Sequence, residues 1–148
     1  MILRRGSVPG QQVNGSAPRI EERFGDAAGL AQMGVNIVTL APGQRSAMRH
    51  WHSSSDEFVL ILDGRATVIE DDGASELTAG DMALWPAGAT NAHHIWNRTD
   101  APLRYLCAGT NPDRDTVHYP DDGQTLHWDR PDARVVAADG TLIRAWQE

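Results

Sequence analysis

Lysine is missing from the 148 residues, and cysteine occurs once, as Cys107. Without lysine there is no Schiff-base nucleophile, no pyridoxal anchor and no phosphate-loop lysine. A single cysteine excludes an internal disulfide and a multi-cysteine zinc site. A Cys107 nucleophile or an interchain disulfide stays open, with no motif behind either. Long apolar runs are absent too: no stretch approaches the roughly 18 residues that a membrane span needs. Met1-Ile2-Leu3-Arg4-Arg5 runs into Gly6 and Pro9, so no signal-peptide core develops and a cytoplasmic protein is expected. Basic clusters are also lacking. The 13 arginines are scattered through a chain of net charge −7, which makes nucleic acid and anionic membranes poor partners.

What is present is a soluble composition, 41% apolar and 22% charged, at a length that suits one hydrophobic core. Turn residues recur between short runs rich in β-branched and aromatic side chains. Strands are expected at 34–40, 46–52, 57–62, 65–70, 82–85, 93–97 and 103–108. Leu62-Asp63-Gly64-Arg65 reads as a hairpin, since Asp-Gly suits a two-residue turn with positive φ. Helix is expected to be slight, about one turn near 21–24 or 27–32. Close, regular strand spacing points to an all-β sandwich or barrel. Residues 1–33 and 111–148 show little periodicity and read as irregular extensions. Within the second, residues 116–119, 135–136 and 142–146 are apolar enough to pair with the main sheet or a second subunit.

Four of the six histidines fall in two clusters. In His50-Trp51-His52 the two imidazoles lie two apart, hence on one face of a strand. Glu57 follows across a short turn and can swing back to the same point. His93-His94 lies on a later strand. Two imidazoles, a carboxylate and a distant imidazole form a mixed N/O set suited to Mn, Fe, Co, Ni, Cu or Zn rather than Mg or Ca.

The glycines and proline around these residues carry a family resemblance. Gly43, His50, His52, Glu57 and Gly64 resemble the first cupin motif; Gly80, Pro86, Gly88, His93 and Asn97 resemble the second. Two spacings depart from the family pattern, with one extra residue between Gly43 and His50 and two between Gly88 and His93. The second insertion keeps strand parity, and the spacing to Asn97 selects His93 over His94. Among cupins, the chain is similar to small single-domain bacterial members. The resemblance implies a cupin jelly-roll β-barrel, or double-stranded β-helix, with N- and C-terminal extensions. It divides the chain into an arm at 1–33, which could be exchanged in a homodimer, a barrel core at 34–110, and an extension at 111–148. It also implies one divalent transition metal ion (Mn, Fe, Ni or Zn) held by His50, His52, Glu57 and His93.

Such a centre would bind or transform a small oxygenated organic molecule. Three readings stand: an enzyme using Lewis-acid isomerase, epimerase or lyase chemistry, or oxygenase chemistry; a non-catalytic binding or sensing protein; and a fold with adventitious metal. Tyr105 is the candidate proton donor, with core packing as its alternative. Leu103, Tyr105 and Cys107 share one face of their strand. Trp51, Trp85 and Trp96 read as packing against the outer sheet or a dimer interface rather than as substrate contacts, Asp56 as a turn residue and Asn97 as a backbone ligand. The inferred lining is mostly apolar, which leans against a sugar-phosphate isomerase; Arg45, Arg49 and Arg104 are the candidate anion anchors.

Overall fold

Side chains that alternate between apolar and polar at period two bury one face of a strand, and that pattern builds most of this chain. A computed structural model describes residues 1–14 and 17–147. Its elements are β1 (Gln11–Val13), β2 (Arg19–Arg23), α1 (Phe24–Ala28), β3 (Met33–Leu40), β4 (Trp51–His52), β5 (Glu57–Asp63) and β6 (Arg65–Glu70). There follow β7 (Gly73–Thr78), β8 (Met82–Trp85), β9 (His94–Trp96), β10 (Leu103–Thr110), β11 (Arg114–Tyr119), β12 (Gln124–Asp129), β13 (Asp132–Ala137) and β14 (Leu142–Gln147). Among the described residues no helix is long and apolar enough to cross a membrane.

One layer is a sheet in the order β1-β2-β3-β10-β5-β8. Facing it, β7-β6-β9 continues through bridges at Arg45–Trp96 and His50–His93 into β4, which heads the sheet β4-β11-β12-β13-β14. Every named pairing is antiparallel. The core lies between the layers. Val38 and Leu40, Val59 and Ile61, and Leu103 and Tyr105 enter from one side, Ala66, Val68 and Ile95 from the other. Each fully buried Val, Leu or Ile contributes about 1.5–3 kcal/mol relative to exposure. The architecture is the all-β jelly roll expected.

Three local expectations are corrected. Asp63-Gly64 does not close a hairpin, because β5 pairs with β10 and β8 while β6 pairs with β7 and β9. The dipeptide instead turns a corner between layers. Gly64 sits at φ 86°, where a Cβ would lie 2.7 Å from the Pro102 carbonyl oxygen. Strand β7 has no counterpart in the expected set, since among its exposed residues only Leu77 turns partly inward and no alternation shows. Both extensions, expected to be irregular, contribute strands: the first supplies β1, β2 and the short helix α1, the second β11 to β14. The inward face of β2 is charged rather than apolar, with Glu21 only 7% exposed, so hydrophobic periodicity does not reveal it. At the other end, β11 pairs with β4 and carries β12 to β14 outward from it.

Gly64→Ala combines a left-handed backbone with a backbone clash. It should lower stability by about 2–4 kcal/mol in urea unfolding; a change below about 0.5 kcal/mol would contradict the corner geometry.

Candidate metal centre

His50 and His93 form a close cross-strand pair. His50 N–H donates to the His93 carbonyl (3.1 Å) and His93 N–H to that of His50 (2.8 Å). Residues that exchange both bonds stand directly opposite, so their side chains leave the same face together. Their ring centroids are 5.2 Å apart, and the His52 ring, two residues along, is 5.1 Å from that of His50. Glu57 opens β5 in the facing layer. Its Oε2 lies 3.9, 3.6 and 3.3 Å from Nε2 of His50, His52 and His93. Neighbouring donors around one ion at ~2.1 Å are separated by roughly 3.0–3.4 Å.

The far side of each ring fixes which nitrogen faces the centre. His50 Nδ1 lies 2.8 Å from the Met48 carbonyl, His93 Nδ1 3.1 Å from that of Asn91, and His52 Nδ1 2.6 Å from Asp115 Oδ2. These oxygens only accept, so each Nδ1 donates and its Nε2 is the nitrogen left for an ion. Burial, partly opposed by Glu57, brings the His50 pKa down to about 4. Burial pushes Glu57 upward, but contact with His93 and the other imidazoles outweighs it and brings the carboxyl to about 2. A neutral imidazole and an ionised carboxylate are the forms that ligate a divalent ion. His50, His52 and Glu57 offer ligand atoms that all lie within 4.8 Å of one another and fit a transition metal of mixed N/O preference, and His93 joins them through its contact with Glu57.

Around this cluster the candidates separate. His94 also borders the cavity beside His50 and Glu57 but is outside the cluster of His50, His52 and Glu57: its ring bonds the Ala47 backbone and its buried Nδ1 has no hydrogen-bond partner among the described residues. Trp85, read from the sequence as outer packing, lies inside. It stacks on His93 at 3.6 Å and 5° between planes, and its indole N–H donates to Glu70 at 2.7 Å. Trp51 stacks on His118, and Trp96 lies between the guanidinium groups of Arg45 and Arg98, so neither faces the cluster. Asn97, fully buried, donates to the Leu40 and Ala101 carbonyls, and Asp56 accepts from Ala87 N–H. The face of β10 that carries Tyr105 and Cys107 points inward. Cys107 Sγ is 3.4 Å from Glu57 Oε1, and burial pushes its thiol well up, so it stays protonated. Tyr105 is 2% exposed, and burial likewise raises its phenol, leaving a donor rather than a base.

Among the described residues, three cavities border the clustered side chains, one of them a cleft of about 190 Å³ at His52, Glu57 and Cys107. The inner chamber, about 200 Å³, is bounded by His50, Glu57 and His93 and by Arg19, Glu21, Asn36, Ser46 and Tyr105. Its lining is thus more polar than the expected apolar wall, because β2 contributes charge from a segment that sequence alternation leaves unassigned. The outer chamber, about 380 Å³, lies between His50 and His52 and the C-terminal sheet, where Tyr119, Trp128 and Arg130 face it. Tyr119 approaches the His50 ring to 5.8 Å. A depression of about 560 Å³ elsewhere on that sheet, at His127, Arg134 and Trp146, touches none of the clustered imidazoles. Of the expected anion anchors, Arg45 is held on Trp96, Arg49 by Asp71 and Asp121, and Arg104 by Glu22. The arginines on the chambers are instead Arg19 and Arg130. Sequence reasoning missed these two, as well as Glu21, Asp115, Tyr119 and Trp128. The only local signal was the charged alternation Arg19, Glu21, Arg23.

A family model described as "Cupin domain" matches residues 36–109. The chain belongs to the cupin family. Solved structures agree with it over nearly its whole length. A cupin superfamily sugar phosphate isomerase from Silicibacter pomeroyi is 35% identical at a TM-score of 0.88, with 99% of each chain covered. A proposed sugar phosphate isomerase from Acidithiobacillus ferrooxidans is 28% identical at 0.88, covering 99% of this cupin and 97% of that chain. A predicted oxalate decarboxylase from Thermotoga maritima, 19% identical at 0.62, shares the fold over 76% of this cupin and 100% of its own length. No curated protein matches the chain.

Burial of His50 sets the sign of a pH dependence in the metal-free protein. The imidazole's folded pKa of about 4 lies below the ordinary 6.5, so from pH 6.5 downward the unfolded chain takes up a proton that the folded chain refuses. Stability should be level with respect to this group above pH 6.5. It should fall by about 3 kcal/mol as pH drops to 4, and His50→Gln should remove that portion. Urea unfolding of chelator-treated protein across this range measures it; equal slopes in the two proteins would refute the assignment.

Proposed function

We propose that this cupin is a metal-dependent enzyme that isomerises a small hydroxy-carbonyl substrate of the sugar-phosphate kind, with one divalent transition metal ion held by His50, His52, Glu57 and His93. The observation that carries the reading is the convergence of three imidazole Nε2 atoms on one Glu57 oxygen, each Nδ1 facing an acceptor. A bound ion supplies positive charge that polarises a carbonyl and steadies enolate-like oxygen. The name of the 35% identical Silicibacter pomeroyi protein, aligned over both whole chains, supports the substrate class.

The chain's own residues do the rest. Glu21, Asn36 and Ser46 offer carboxylate, amide and hydroxyl groups to substrate hydroxyls in the inner chamber. Tyr105, kept protonated by burial, donates to an oxyanion. Trp85 holds His93 in place by stacking. Arg19, paired with Glu21 at 2.7 Å, lines the inner chamber and Arg130, over the Trp128 ring, lines the outer one, so an anionic end would meet positive charge in either.

The test pairs metal analysis with exchange chemistry. Protein purified without added metal should carry about one transition metal ion per chain, and His50→Ala and His93→Ala should each lose at least ~90% of it. A panel of aldose and ketose phosphates in D2O, followed by proton NMR, should show metal-dependent C–H exchange in wild type alone. Metal content unchanged in both variants would sink the site. Oxygen uptake without C–H exchange would move the chemistry to an oxygenase, and tight binding without turnover would make the protein a sensor.

A further inference from the structure

We propose that Asp115, on the first strand of the C-terminal sheet, is a positioning residue for the metal centre: its carboxylate fixes the tautomer and ring orientation of His52. The inference rests on the metal-site reading above and extends it to a segment outside the matched domain.

The three imidazoles are not held alike. His50 and His93 give their Nδ1 protons to backbone carbonyls two residues back on their own strands, at Met48 and Asn91. Of the three Nδ1 atoms, that of His52 meets a side-chain carboxylate instead, Asp115 Oδ2 at 2.6 Å, contributed by the neighbouring β11. That carboxylate is itself pinned. Oδ1 accepts from the Ser54 and Thr116 backbone N–H groups, both at 2.8 Å, and Oδ2 also accepts from the Ser55 hydroxyl at 2.9 Å. The side chain is only 8% exposed. Pairing of Val117 with His52 and the Ser53 N–H bond to the Thr116 carbonyl hold the two strands at this separation.

An ionised carboxylate only accepts, so the His52 proton must sit on Nδ1 and the Nε2 lone pair must face Glu57, 3.6 Å away. The negative charge also makes that nitrogen a stronger donor to an ion. With Glu57 beside it and Asp115 one imidazole ring away, a divalent ion held here would be formally neutralised. Asp115→Asn is close to isosteric and keeps an oxygen for Ser54 and Thr116. Its amide then opposes the His52 N–H, donor against donor. The ring escapes by moving its proton to Nε2, the nitrogen that should bind the ion.

Metal-stripped wild type and Asp115→Asn, titrated calorimetrically with Co²⁺ and Mn²⁺, should differ by 10–100-fold in Kd. Nitrogen–proton NMR of the imidazoles should show His52 protonated at Nδ1 in metal-free wild type and at Nε2 in Asp115→Asn. An equal Kd in the two proteins, or Nε2 protonation in wild type, overturns the proposal; the wild-type spectrum decides alone where the variant does not fold. His50→Ala separates the two readings. If it abolishes binding while Asp115→Asn leaves Kd unchanged, the positioning role fails and the metal site stands. If neither changes Kd, the metal site itself fails.

Discussion

His50 and His93 exchange both of their backbone hydrogen bonds, and with the Arg45–Trp96 bridge beyond them they join one half of the second layer to the other. The same two bonds carry architecture and chemistry. They continue β9 into β4, and they set two imidazoles side by side facing the opposite sheet. Glu57 can meet those rings only because it begins a strand of that sheet, with Trp85 beside it in register and Gly109 on its other flank. At Gly109 a Cβ would lie 2.6 Å from the Asp56 carbonyl oxygen, so the strand bearing Glu57 packs where no side chain fits.

Burial then determines what those residues can do. A largely buried imidazole resists protonation and a carboxylate among imidazoles stays ionised, so His50 is kept neutral and Glu57 charged across the neutral range. Burial acts in the other direction on Tyr105 and Cys107, which remain uncharged donors beside it. One ionised carboxylate thus sits beside a neutral imidazole, a neutral phenol and a neutral thiol within one small volume.

The central strands were legible in the sequence because Val38, Leu40, Val59, Ile61, Leu103 and Tyr105 alternate strictly and are buried accordingly. His50, His52, Glu57 and His93 were legible because motif spacing and strand parity are properties of the chain itself. What stayed hidden depends on pairings between distant segments. Nothing near Asp115 signals that His52 lies opposite, and Trp85 cannot be placed inside until β8 is paired with β5. Strand β2 was obscured because its inward residues are Glu21 and flanking arginines rather than aliphatics, and the Asp63-Gly64 corner because its dipeptide also suits a hairpin.

Strand β4 is two residues long and borders β11 on one side. Were the chain to stop after β10, the segment bearing His50 and His52 would become the rim of its sheet, with backbone N–H and C=O groups facing solvent. An open rim recruits strands from other molecules. The C-terminal sheet in this sense relocates the open rim, carrying it from the segment of His50 and His52 out to β14.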